Sequence, residues 1–138
     1  MDKTCTDIEQ SNVLIKLGID TKTADMKYPY FGDGQYGTTP VVGECIKFSG
    51  GVDIPAWSLS ALLKLMPKMI CIRLDEHSGN FYRLEWQFAN DNSLRYVGEN
   101  RTCLIDIYSD HDNGKPKDNI DTAVEMVKWL LENKKISK

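Results

Sequence analysis

The chain has 138 residues, of which 41% are hydrophobic and 27% charged, an ordinary composition for one soluble globular domain. Its 17 basic and 20 acidic residues give a net charge of −3, which argues against non-specific binding of nucleic acid. We therefore expect a single domain, residues 1–138, that folds around its own core without a metal ion or a disulfide bond.

The first predicted helix covers about residues 7–17. Thr6 is a suitable N-cap, and Glu9 three residues later completes a capping box. Gly18 is placed to adopt the left-handed conformation that ends a helix, and Ile19 can then fold back onto it.

Residues 27–55 form a segment of different character, which contains six of the ten glycines and several aromatic residues. Because disordered linkers are poor in aromatic residues, we expect an ordered, irregular excursion with short strands near 41–42 and 45–48. Its glycine pattern over 32–37 fits a dinucleotide-binding fingerprint only by spacing, since no hydrophobic strand precedes it. Turn-forming glycines are the better interpretation.

The rest of the chain alternates clearly between helical and strand patterns. Ser58 caps a predicted helix over 59–66 that Pro67 stops. Four runs with apolar residues at every second position then follow, joined by short polar turns. A last helix over about 120–135 has Asp118 or Asn119 as its cap and carries one apolar stripe. The stripe consists of Ala123, Val124, Val127, Leu130 and Leu131.

These elements predict an α+β fold in the order helix, irregular excursion, helix, four strands, helix. The sheet is expected to be an antiparallel meander of about four strands packed with about three helices.

The cysteines and the N-terminus predict a cytoplasmic protein. The four cysteines include no C-x-x-C pair, so reduced thiols are expected, with Cys71 and Cys103 as small core residues. The polar N-terminus does not resemble a signal peptide, and the apolar stretch over 59–66 is too short to span a bilayer. We expect no membrane association.

No catalytic, cofactor-binding or metal-binding motif is predicted. The loop that begins at Asp110 has its glycine one place too early for a calcium loop, and Lys115 adds opposing charge. His77 and His111 lie in predicted turns, where histidine is usually a solvated surface residue. Nucleic-acid binding would need four arginines to converge on one sheet face, namely Arg73, Arg83, Arg95 and Arg101.

Aromatic side chains provide the candidate interaction surface. Tyr28, Tyr30 and Tyr36 lie in the excursion, and Trp57 follows it. Trp129 is at the edge of the last apolar stripe, where partial exposure would make it an interface anchor.

Three segments also carry a resemblance to known sequences. They are residues 23–26 after the first helix, residues 54–67 around Pro55 and Trp57, and residues 118–130 in the last helix. In this order and spacing the chain resembles a family of short uncharacterised proteins from Bacteroides-type gut bacteria and their prophages and mobile elements. The resemblance implies no activity, cofactor or site residue, but it implies the context of an accessory gene.

Two hypotheses follow. The first is a non-enzymatic accessory protein of a bacterial or mobile-element gene set that acts through contacts with an unknown protein partner or as a homo-oligomer. The alternative is a small ligand-binding domain or enzyme with a pocket between residues 28–57 and the sheet. Its aromatic lining would come from residues 28–57, with Asp33 and Glu44 as polar groups; the aromatic residues are Tyr28, Tyr30, Tyr36 and Trp57.

Overall fold

A computed structural model describes residues 3–87, 93–107, 111–112, 115–116 and 118–136. The helices and antiparallel sheets of these residues confirm the predicted α+β class. They fall into two compact units, which meet in sequence between Leu65 and Met66 and are described separately below. The single domain over 1–138 stays a prediction.

The first unit begins with helix α1, Ile8–Lys16. Its N-cap is Asp7, which forms a capping box with Gln10, so the predicted cap at Thr6 with Glu9 is wrong by one residue. The reason is that the Thr6 hydroxyl is already engaged by the Trp57 N–H at 3.1 Å and the Ser11 hydroxyl at 2.7 Å.

The end of α1 follows the prediction. Gly18 has φ of +100°, and its N–H donates to the Ile15 carbonyl. The Ile19 N–H donates to the Leu14 carbonyl, and Ile19 is buried. This pair of hydrogen bonds defines a Schellman motif.

The excursion consists of seven short strands after a 3₁₀ turn, Thr21–Thr23. They are β1 (Met26–Tyr28), β2 (Tyr30–Gly32), β3 (Gln35–Tyr36), β4 (Val41–Val42), β5 (Lys47–Phe48), β6 (Gly51–Val52) and β7 (Ile54–Ala56). Strand β1 lies between β4 and β7 in a three-stranded antiparallel sheet. The pairs β2–β3 and β5–β6 are separate hairpins.

Helix α2, Leu59–Lys64, completes the first unit and has the predicted N-cap, Ser58. The two ends of the unit are joined, since the Thr6 N–H donates to the Trp57 carbonyl at 2.9 Å and Cys5 forms a β-bridge with Ser58. Beneath this closure Cys5, Tyr28 and Ala56 form a buried apolar cluster.

The second unit contains the predicted meander. Its strands are β8 (Met69–Arg73), β9 (Gly79–Gln87), β10 (Ser93–Val97) and β11 (Cys103–Ile107). They pair antiparallel in the order β11-β10-β9-β8. A register shift between Tyr96 and Val97 interrupts the pairing of β10 with β11. A short pair, β12 (His111–Asp112) with β13 (Lys115–Pro116), precedes the last helix.

Helix α3, Asn119–Glu132, packs against β10 and β11. Asp118 is its N-cap, and the whole predicted apolar stripe is buried. At the far end Lys134 has φ of +57°, and the Lys135 N–H donates to the Leu130 carbonyl at 2.7 Å. Lysine therefore occupies the left-handed position that glycine fills after α1.

Two cysteines are placed differently from the prediction. Cys71 and Cys103 are exposed, so their assignment to the core is wrong. Cys71 pairs with Phe81 on the exposed face of the sheet. Cys103 is opposite Val97, beyond the register shift that separates it from Ile105. Cys5 is the buried cysteine.

Candidate functional site

A buried carboxylate joins three segments of the first unit. Asp53 is 2% exposed, and its Oδ1 accepts a hydrogen bond from the Tyr30 N–H at 2.8 Å. Its Oδ2 accepts from the Ile46 N–H at 2.9 Å and lies 3.0 Å from Lys27 Nζ. Asp53 thus connects β1, the β2 hairpin and the segment before β5.

Two opposing effects act on the pKa of Asp53. Burial alone raises the pKa, whereas the two backbone N–H donors and the Lys27 ammonium lower it. The net pKa lies below the ordinary value of an aspartate. Because all of these partners belong to the protein itself, the geometry makes Asp53 a structural carboxylate.

Tyr30, whose backbone N–H is held by Asp53, joins the two hairpins through its side chain. Its ring lies 5.3 Å from the Tyr36 ring and 6.0 Å from the Phe48 ring, in tilted arrangements. Its hydroxyl donates to the Gly50 carbonyl at 3.0 Å and accepts from the Gly34 N–H at 3.3 Å. One side chain therefore fixes β2–β3 relative to β5–β6.

This arrangement depends on glycine. A Cβ atom on Gly51 would lie 2.8 Å from two ring carbons of Tyr30, closer than real Cβ contacts allow. In the turn of the first hairpin Gly32, Asp33 and Gly34 all have positive φ, at +98°, +54° and +73°. Gly32 and Gly34 are thus turn residues, as the sequence predicted, while the close approach of Gly51 to a ring was not predicted.

Between the two hairpins lies an open groove of about 740 Å³, lined by residues 30–34 and 48–50, which we call the aromatic groove. Phe31, on the side of the first hairpin, is 72% exposed, and Phe48, on the side of the second, is 45% exposed. Four further large apolar residues between 41 and 52 are exposed: Val41, Val42, Ile46 and Val52. A concentration of exposed apolar side chains in one segment is typical of an interaction surface.

The structure brings together two of the five predicted surface residues. The rings of Tyr30 and Tyr36 lie 5.3 Å apart in a tilted arrangement, and Tyr30 lines the aromatic groove. Tyr28 and Trp57 are buried instead. The Tyr28 hydroxyl donates to the Thr6 carbonyl at 2.8 Å, and Trp57 Nε1 donates to the Thr23 hydroxyl at 2.8 Å. These two rings support the first unit and do not form its surface.

The other predicted residues are dispersed. Trp129 lies on α3 in the second unit, where it is half-buried. Asp33 lines the aromatic groove, while Glu44 lines a separate cavity of about 380 Å³ beside Met26 and Cys45. Sequence reasoning missed Asp53, although an aspartate between Val52 and Ile54 in an apolar run indicates a buried, bonded carboxylate.

A serine–aspartate contact in the first unit also has a structural explanation. The Ser58 N–H and hydroxyl both donate to the Asp25 carboxylate, while the same hydroxyl accepts from the Ala61 N–H at 3.2 Å. The pair therefore fixes the start of α2.

The described ranges also bear on metal binding and on membrane association. They contain no group of three or more histidine, cysteine or acidic residues that could hold a metal ion. The calcium alternative falls partly outside them, because residues 110, 113, 114 and 117 are not described. None of the helices within the same ranges has both the length and the apolar character that crossing a membrane requires.

Two of the four arginines are paired with acidic residues. Arg101 lies 2.9 Å from Glu85, and Arg95 lies 3.7 Å from Asp106. Arg73 and Arg83 are exposed, as their alternation with apolar residues predicts. The strand register puts Arg73, Arg83 and Arg95 on one face of the sheet, and two of the four arginines have an acidic partner.

Comparisons of the chain with protein-family models, curated proteins and solved structures gave no match.

Proposed function

We propose that this protein is a non-enzymatic binding protein that recognises a partner protein through the aromatic groove. The observation that carries the proposal is the clamp at Tyr30, which fixes the two hairpins relative to each other, with exposed Phe31 and Phe48 on the walls of the groove. Aromatic anchors of this kind contribute most of the binding energy in protein interfaces.

The construction of the groove supports recognition rather than folding. Phe31 contributes little to a core at 72% exposure, yet it directly precedes a defined turn in which Gly32, Asp33 and Gly34 have positive φ. Hydrogen bonds to Asp53 and Tyr30 fix the walls before a partner arrives, which lowers the entropic cost of binding. Such grooves suit an extended peptide segment that is apolar or rich in proline.

The setting of this activity is part of the proposal. We place the protein in the cytoplasm because its cysteines have no disulfide framework in their spacing. The context of a prophage or mobile element rests on the sequence resemblance, which supports an accessory role. A small-molecule pocket or an enzyme stays the alternative prediction.

Site-specific photo-crosslinking in the native host tests the proposal. A photoreactive phenylalanine analogue at position 31 should give a discrete crosslinked protein, and Phe48→Ser should abolish that crosslink in a variant that thermal unfolding shows to be folded. The matched control places the analogue at Lys16, an exposed residue of α1. Equal crosslinking from positions 31 and 16, or a crosslink that survives Phe48→Ser, would contradict the proposal.

A further inference from the structure

One edge of the four-stranded sheet has a regular outer side, which pairs with no other strand of the described residues. Strand β8 pairs with β9 without a register shift, from Met69 opposite Arg83 to Arg73 opposite Gly79. Among the strands of the described residues, β9 is the one neighbour of β8. The other edge strand, β11, has a register shift in its pairing, an irregularity that discourages the addition of a further strand.

The hydrogen bonds to β9 identify which backbone groups of β8 face outward. The Leu84 N–H donates to the Lys68 carbonyl, and the Leu74 N–H donates to the Ser78 carbonyl, both at 3.0 Å. Because hydrogen-bonded pairs alternate along an antiparallel ladder, the even-numbered residues of β8 bond to β9. The N–H and C=O groups of Met69, Cys71 and Arg73 therefore point away from the sheet.

We infer that β8 pairs antiparallel with β8 of a second copy of this chain, which joins two sheets of four strands across a two-fold axis. In the matching register Cys71 lies opposite Cys71 of the second copy, and Met69 lies opposite Arg73. This register places all three outward-facing residues opposite outward-facing residues. A shift of two residues in one direction puts Met69 opposite Asp75, whose N–H donates to the Ser78 carbonyl. The opposite shift puts Arg73 opposite Pro67, which has no N–H and whose carbonyl accepts from the Tyr96 hydroxyl.

The charges along the strand favour a second copy in this orientation. The basic residue Lys68 precedes β8 and the acidic residue Glu76 follows it, both with exposed side chains. Antiparallel pairing puts Lys68 opposite Leu74, at the start of the turn that carries the exposed acidic residues Asp75 and Glu76 of the second copy. The two-fold axis repeats this arrangement, whereas parallel pairing would bring like charges together.

The exposed side chains of the sheet are arranged in the same symmetric way. Met69 is 56% exposed and Phe81 is 60% exposed, on the face that also carries Cys71. Pairing across the axis creates one continuous row of four side chains, Phe81 and Cys71 of one copy followed by Cys71 and Phe81 of the other. The hydrocarbon stem of Arg73 then covers Met69 of the second copy.

Charge reversal at the axis tests the inference. By sedimentation the wild type should be a dimer, while Cys71→Lys and Cys71→Glu should each be monomeric because two like charges would face each other. Mixing the two variants should restore the dimer. Cys103→Lys, the same change at an exposed cysteine of β11, should remain a dimer.

A thiol crosslink gives an independent measurement of the register. Opposed residues of a hydrogen-bonded antiparallel pair have Cα atoms about 5.5 Å apart, which a short thiol-specific reagent can bridge. In a chain with Cys45→Ser and Cys103→Ser, Cys71 should give a product of twice the 15.7 kDa chain mass. A monomeric wild type would overturn the inference. It would also be overturned if each single variant were a dimer and mixing the two changed nothing. The aromatic groove is tested separately, because it lies in the first unit.

Discussion

Replacing Asp53 by asparagine preserves the size of the side chain but removes its charge and one of its two acceptor atoms. In the folded protein the two carboxylate oxygens accept from the N–H groups of Tyr30 and Ile46 and lie against Lys27 Nζ. The amide NH₂ of an asparagine would face one of these donors. Asp53→Asn therefore leaves a buried donor without an acceptor and Lys27 without its counter-charge.

The size of the effect follows from burial. Asp53 is 2% exposed and the Lys27 side chain 14%, so solvent compensates little for the lost carboxylate. Removing one partner of a buried ion pair typically costs about 3–5 kcal/mol of the free energy of unfolding. A domain holds about 5–15 kcal/mol in total, so the melting temperature should fall by on the order of 10 °C.

The pH dependence has a definite sign. The pKa of Asp53 is lowered in the folded state, so its ionisation stabilises the fold above the unfolded pKa of about 3.9. That contribution is lost as the pH falls through the folded pKa. The difference in unfolding free energy between wild type and Asp53→Asn should therefore be largest near neutral pH and shrink below about pH 4.

Thermal unfolding and amide hydrogen exchange measure the two consequences. The amide protons of Tyr30 and Ile46 should exchange faster in Asp53→Asn, because the carboxylate protects both. Asp33→Asn is the matched control, since Asp33 is exposed and asparagine tolerates its positive φ. Equal melting temperatures for the two variants, or unchanged exchange at both amides, would refute the role given to Asp53.

Three other perturbations have outcomes that the structure specifies. Gly51→Ala should lower the unfolding free energy by about 1–3 kcal/mol in chemical denaturation, because its Cβ would displace the ring of Tyr30. Leu62→Ala, at a fully buried position of α2, should lower the unfolding free energy by about 2–5 kcal/mol, while His77→Ala in an exposed turn should change it by less than about 0.5 kcal/mol. A larger loss of unfolding free energy in the histidine variant would contradict the burial of Leu62. In the native protein a thiol reagent should label exposed Cys71 and Cys103 quickly, and exposed Cys45 more slowly because desolvation raises its pKa. Cys5 should be labelled only on unfolding, because burial both shields it and raises its pKa. Rapid labelling of all four would show that the first unit opens.

The regular elements could be predicted because their signals are local. The meander and the buried stripe of α3 follow from periodicity, and the end of α1 follows from Gly18. The errors arise where a residue far away in sequence binds a group that the local pattern assigns to another role. Thr6 is the better cap by motif, but Trp57, 51 residues away in sequence, occupies its hydroxyl.

The candidate site was only partly predictable for the same reason. The sequence identified an aromatic, glycine-rich segment, but strands of two or three residues are too short to show a period. Nothing local indicates that Tyr30 clamps two hairpins while Tyr28, two residues earlier, points into the core. The exposure of Cys103 likewise depends on a register shift, which appears only when β10 and β11 are paired.

The closure between Thr6 and Trp57 has a consequence for the order of events during synthesis. The chain emerges from the ribosome N-terminus first, and α1 then lacks the strand β7 against which it packs. Because Cys5 and Thr6 are bonded to Ser58 and Trp57, the first unit cannot close until about residue 58 has left the exit tunnel. We therefore expect nascent chains that expose fewer residues to be protease-sensitive, and protection to appear in one step once Ser58 emerges.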